Sequence, residues 1–105
     1  MKPQEFEKVV YEQLQYCLDL LTKKGKEYDS GEGDRLASFK RAAVLQDVSQ
    51  KEALAGMMAK HTVSIYEMCE QGEYPVEKWI EKITDSINYL LILRAMVEEE
   101  KNEKH

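Results

Sequence analysis

Proline, glycine and cysteine are scarce in this chain, and long apolar runs are missing. Two prolines and five glycines in 105 residues leave few interruptions for helices. No segment alternates apolar and polar side chains at period two, so strands are not expected. Cys17 and Cys69 have no CxxC partners, which argues against zinc or redox chemistry; both fall in apolar helical rows and read as buried structural thiols. No apolar stretch approaches the roughly 20 residues of a membrane span, and Met1 to Glu7 lack the basic start and apolar run of a secretory signal. A cytoplasmic chain with no membrane partner is therefore expected. Positive charge is not in excess either. Fifteen Lys and Arg against twenty Asp and Glu give a net charge of −5, which opposes duplex nucleic acid as a partner.

What is present is 43% hydrophobic and 33% charged residues, the composition of one helix-rich domain spanning residues 1–105. Pro3 suits a first helical turn, and Phe6, Val10, Leu14, Cys17 and Leu21 recur at steps of three and four. This predicts an amphipathic helix from residue 3 to about 24, ended by Lys23, Lys24 and Gly25. The glycine-rich stretch 25–34 reads as the longest loop. Asp34 then caps a short helix that turns Leu36, Phe39 and Ala43 inward. Ser49 and Glu52 form a capping box for a third helix beginning near Gln50, with an apolar row of Leu54, Met58, His61, Ile65 and Met68 that ends at Gly72. Pro75 opens a fourth helix through Trp79, Ile83, Ile87, Leu90 and Arg94, frayed over about 98–105. The fold class is all-α, a four-helix bundle-like domain whose last two helices form a long antiparallel hairpin. Tyr89, Ile92 and Met96 lie off the main apolar arc of the fourth helix, and a second apolar face there suggests a homo-oligomer or an adaptor that docks another protein.

A hairpin turn centred near residue 73 or 74 sets Lys60 level with Asn88, Ser64 near Asp85 and Glu67 with Glu81. Glu67, Glu81 and Asp85 would then offer hard oxygen ligands to Mg²⁺. Lys60 would meet a phosphate, and Ser64 or Asn88 would orient a ligand or water. The alternative is a solvated face of weak exposed pairs. His61 stands in the apolar row of the third helix, either bonded to a backbone carbonyl or to Asp85, or acting as a ligand or base. The loop from Lys24 to Arg35 and the helix start after it could cradle a phosphate, although no Walker or dinucleotide fingerprint is present. Tyr28 and Phe39 could stack a base at its edge, Phe39 serving the core equally well.

Lys26-Glu27-Tyr28, the run from Asp34 to Ala43, Met57-Met58-Ala59-Lys60 and Asp85-Ser86-Ile87-Asn88-Tyr89 together resemble small phage and prophage proteins of the nucleotide-modification-associated and MazG-like all-α families. The resemblance covers residues 20 to 95. It implies a helical, oligomeric protein of the host cytoplasm that handles nucleotides, in better-known relatives by Mg²⁺-dependent cleavage of nucleoside triphosphates to monophosphate and pyrophosphate. The MazG-like signature sets ExxE on one helix and ExxD on the next. Glu67-Met68-Cys69-Glu70 matches the first half, but Lys82 stands three residues before Asp85 and the nearest acid is Glu81. What carries over is Asp85 with Asn88 and Tyr89, Lys60 on the facing helix, and the segment from Tyr28 to Lys40 as a ligand rim.

The leading expectation is a nucleotide-binding protein, acting either as a Mg²⁺-dependent pyrophosphohydrolase or as a binder that sequesters a nucleotide or related phosphorylated molecule. In the enzyme, Lys60 and Asp85 are catalytic and Glu67, Glu81 and Asp85 hold the metal. In either, Tyr28, Lys40, His61, Ser64 and Asn88 contact the ligand.

Overall fold

A computed structural model describes residues 1–28 and 33–103, leaving aside the side chains of residues 26–28. Four helices follow one another: α1 (Pro3–Tyr28), α2 (Ala37–Gln46), α3 (Gln50–Gln71) and α4 (Val76–Glu103), with no strand among the described residues. The all-α class is as expected. Two helix boundaries differ from the sequence reading. Gly25 does not end α1, which continues to Tyr28, and α4 stays helical through the charged run as far as Glu103. The middle of the expected loop, and the last two residues of the tail, lie outside the described residues.

Local chemistry explains the other ends. Ser49 accepts from the backbone N–H of Glu52 while the Glu52 carboxylate accepts from Ser49 N–H, completing the capping box and satisfying donors that a helix start leaves open. Gly72 closes α3 at φ 75°, a left-handed conformation that glycine adopts without steric cost. Before α2, the Asp34 carboxylate accepts from Leu36 N–H at 3.0 Å. Asp34 therefore shapes the turn entering α2 and does not cap the helix itself, whose first flanking residue is Leu36.

α3 and α4 form the antiparallel hairpin. Lys51 pairs with Glu100 at 2.9 Å near its open end, and the rings of His61 and Tyr89 lie 5.1 Å apart at mid-length. α2 packs on α3, and Leu36, Phe39, Leu54 and Met96 make the central core with Tyr89, Ile92 and Leu93 around it. Tyr89, Ile92 and Met96 thus fill the interior, which corrects their assignment to a free docking face. Of the α4 row expected inside, Trp79, Ile83 and Ile87 are half-buried, whereas Leu90 is 54% exposed.

α1 lies along α4 in the same direction. Gln13 Nε2 donates to Thr84 Oγ1 at 2.7 Å across 71 positions, and further along, Leu21 borders one depression with Leu91 and Ile92. Among the described side chains of α1 only Cys17 is fully buried. Phe6, Val10 and Leu14, expected in the core, are exposed. Cys69 is exposed too, because Met68 takes the inward position and the next residue turns by roughly 100° around the helix.

Candidate functional site

All four helical segments meet around one recess of about 110 Å³. Lys24 from α1, Arg35 from the turn before α2, His61 from α3, and Asp85 and Asn88 from α4 provide its polar groups. Phe39 and Tyr89 provide aromatic wall.

The register expected for the hairpin holds, but the facing residue is different. His61, one step beyond Lys60, meets Asp85 and Tyr89, with His61 Nδ1 3.9 Å from Asp85 Oδ2. That separation is too long for a hydrogen bond. Lys60 is exposed and outside the recess, since one residue rotates a helical side chain by roughly 100°. Ser64 is half-buried and also outside it. Asn88 does line the recess and is 6% exposed.

Two atoms of the lining stand out. His61 Nδ1 and Asn88 Oδ1 are buried with no hydrogen-bond partner, and an unsatisfied buried polar group costs about 1–3 kcal/mol. Both residues line the same recess, so a ligand or water entering it has polar partners waiting there.

Arg35 is held over the recess by close contact with α1. Its Nη2 donates to Leu21 O at 3.4 Å, and its Nε and Cδ pass over Gly25, where a Cβ would come within 3.0 Å of Nε. The glycine inside α1 is therefore a crossing point for a guanidinium.

Lys40 was expected at the ligand and is engaged elsewhere. Its ammonium joins Asp34 at 2.7 Å and Glu99 at 3.0 Å, tying the entry of α2 to α4. The hydrogen bond from Lys40, helped by Leu36 N–H, holds the Asp34 carboxyl below its ordinary range. Asp34 first, then Glu99, raise the Lys40 ammonium above its ordinary value. The clasp braces the segment that presents Arg35. The side chain of Tyr28, the remaining candidate, lies outside the described residues.

The three acids proposed for Mg²⁺ are not brought together. Asp85 lines the recess, whereas Glu67 is exposed and borders a separate depression with Thr62, Tyr66 and Glu70. Glu81 is exposed. Among the described residues no group of three or more His, Cys, Asp or Glu is placed to hold a metal ion, so this donor set does not fit the metal that the resemblance implies.

Sequence reasoning did not place Lys24 and Arg35 with His61 and Asp85. The signal available for Arg35 was Gly25, read as a helix stop. The recess and the fold around it define an all-α chain with a small, cation-rimmed polar recess between its helices. Compared with known protein families, curated proteins and solved structures, the chain matches none of them. No described helix is long and apolar enough to cross a membrane.

Proposed function

We propose that this protein binds a nucleotide or related phosphorylated small molecule, seating part of it in the recess and turning nothing over. The observation that carries this reading is the pairing of two unpartnered buried atoms, His61 Nδ1 and Asn88 Oδ1, with two cations, Lys24 and Arg35, on one lining. Two cations against the single carboxylate of Asp85 give the lining a net attraction for an anion. Arg35 offers the forked donors that suit phosphate oxygens, and Lys24 adds a point charge. Asp85 and Asn88 Oδ1 accept hydrogen bonds, which a sugar hydroxyl or a base amino group supplies and a bare phosphate does not. Phe39 and Tyr89 give apolar wall for a ring.

At about 110 Å³ the recess is smaller than the ~300 Å³ at the low end of ligand pockets. It encloses one group of such a ligand while the rest leaves through the open side. The resemblance to nucleotide-handling phage families supports the same ligand class. Hydrolysis through Mg²⁺ on Glu67, Glu81 and Asp85 is not part of the reading, because those side chains do not converge.

Calorimetric titration with inorganic phosphate, nucleosides, and nucleoside mono-, di- and triphosphates tests it, with and without Mg²⁺ and with product analysis. The expected result is binding of phosphorylated nucleosides, none of unphosphorylated ones, and loss of binding in Lys24→Ala and Arg35→Ala. Failure of every compound to bind, or equal binding by both variants, refutes the site. Release of pyrophosphate or phosphate refutes the binder and restores the enzyme.

A further inference from the structure

The recess adjoins a second depression between α1, α4 and the turn before α2. Leu21, Arg35 and Ile92 border both, and beyond them the depression, of about 220 Å³, is walled by Leu36, Leu91 and Ala95. Of these side chains only the Arg35 guanidinium can form a hydrogen bond, and the backbone of α4 alongside is spent within the helix. A sugar or a base edge lying there would lose its water and gain no partner. A hydrocarbon chain would lose nothing and leave water.

Charge sets the direction of such an occupant. Lys24 and Arg35 stand at the recess. Past Ala95 the depression opens into a wide hollow bordered by Glu98, Glu99 and Glu103. The path therefore runs from cations, across hydrocarbon, to carboxylates. Its occupant carries negative charge at the recess end, with a neutral chain behind it.

We infer that this depression is a subsite for one aliphatic chain, and that the phosphorylated ligand of the recess carries such a chain. The inference rests on the reading of the recess as an anion seat. Alone, the recess of about 110 Å³ falls short of a ligand site, and with the adjoining depression it reaches the ~300 Å³ at the low end of such sites. Asn88 of the recess and Ala95 of the depression are seven residues apart on α4, about 10 Å along its axis. An extended chain advances about 1.2 Å per bond, so the path accommodates roughly eight carbons. Each methylene buried there raises affinity by up to about fourfold. Asp85 and Asn88 Oδ1 call for a hydroxyl beside the phosphate, which makes glycerol 3-phosphate a suitable head.

Calorimetric titration of the full chain with glycerol 3-phosphate and its 1-butanoyl, 1-octanoyl and 1-dodecanoyl esters, below their micelle concentrations, tests the inference. Affinity rises from the bare head to the octanoyl ester by more than about tenfold and levels off by the dodecanoyl ester. Leu91→Gln lies outside the recess at a side chain 43% exposed. It binds the bare head as the parent does and loses the gain from the chain. Should it lose its helical circular dichroism, Ala95→Gln, at an exposed position, takes its place. An octanoyl ester that binds no tighter than the head overturns the inference, and nucleotide binding in the same protein then leaves the recess reading standing. A gain that survives in the folded variant, or equal binding of octanoylglycerol without phosphate, puts the chain on another surface and overturns it too. Failure of every phosphorylated compound, nucleotides included, removes the anion seat and this subsite together.

Discussion

Arg35 crosses α1 at Gly25, and the approach is close enough that a single added carbon would meet its Nε at 3.0 Å. In Gly25→Ala the guanidinium must shift while the helix gains propensity, by up to about 1 kcal/mol. The expected outcome is unchanged or raised thermal stability together with weaker binding of a phosphorylated ligand, by roughly tenfold or ~1.4 kcal/mol. Equal affinity in calorimetry would show that Arg35 does not act on the ligand.

Asn88 offers a second separation of stability from binding. Its Oδ1 is buried without a partner, and replacing it with leucine, of similar size, removes that penalty. Asn88→Leu is expected to raise unfolding free energy by about 1 kcal/mol and to abolish ligand binding. Urea denaturation showing a loss of stability would mean that Asn88 is satisfied within the folded chain.

The clasp of Lys40 with Asp34 and Glu99 has a defined pH window. Asp34 is held below its ordinary 3.8, so its contribution is complete above that value and disappears as acid titrates it at still lower pH. Lys40 is raised above its ordinary 10.5, so its contribution is complete below that value and is lost as pH climbs through the raised one. The difference in urea midpoint between the parent and Lys40→Met is therefore expected to be flat between these limits and to shrink outside them. A difference that varies across neutral pH would place the relevant titration elsewhere.

Ser49→Ala removes the reciprocal cap of α3 and is expected to cost about 1 kcal/mol, with ligand affinity unchanged because Ser49 is remote from the recess lining. Thermal unfolding within a few tenths of a kcal/mol of the parent would show that water caps the helix as well as the hydroxyl does.

Helix content, the capping box, the Gly72 stop and the antiparallel hairpin were legible because each rests on neighbours in sequence. Leu36, Phe39 and Ala43 were placed inside correctly for the same reason. The extent of burial on α1 and α4 was not legible, although Cys17 of the expected α1 row is buried and Ile83 and Ile87 of the expected α4 row are half-buried. An apolar row announces that something covers it, but not whether the cover belongs to the same chain, and Phe6, Val10 and Leu14 stand uncovered here. The candidate site was half legible. Hairpin register brought Asp85 and Asn88 to the right level and the apolar row of α3 put His61 inside, but Lys60, expected at the same level, is one residue earlier and roughly 100° around the helix, and is exposed. Lys24 and Arg35 were out of reach because their meeting with α4 depends on α1 lying parallel to it, a long-range choice that no local pattern encodes.

That parallel alignment has a consequence for biosynthesis. The contact from Gln13 to Thr84 spans 71 positions, so at about 5–20 residues per second the ribosome needs roughly 4–14 s to deliver one partner after the other. Throughout that delay the apolar stripe of the amphipathic α1 lacks the helix against which it packs. Docking of α1 is therefore a late event, delayed until α4 has been made.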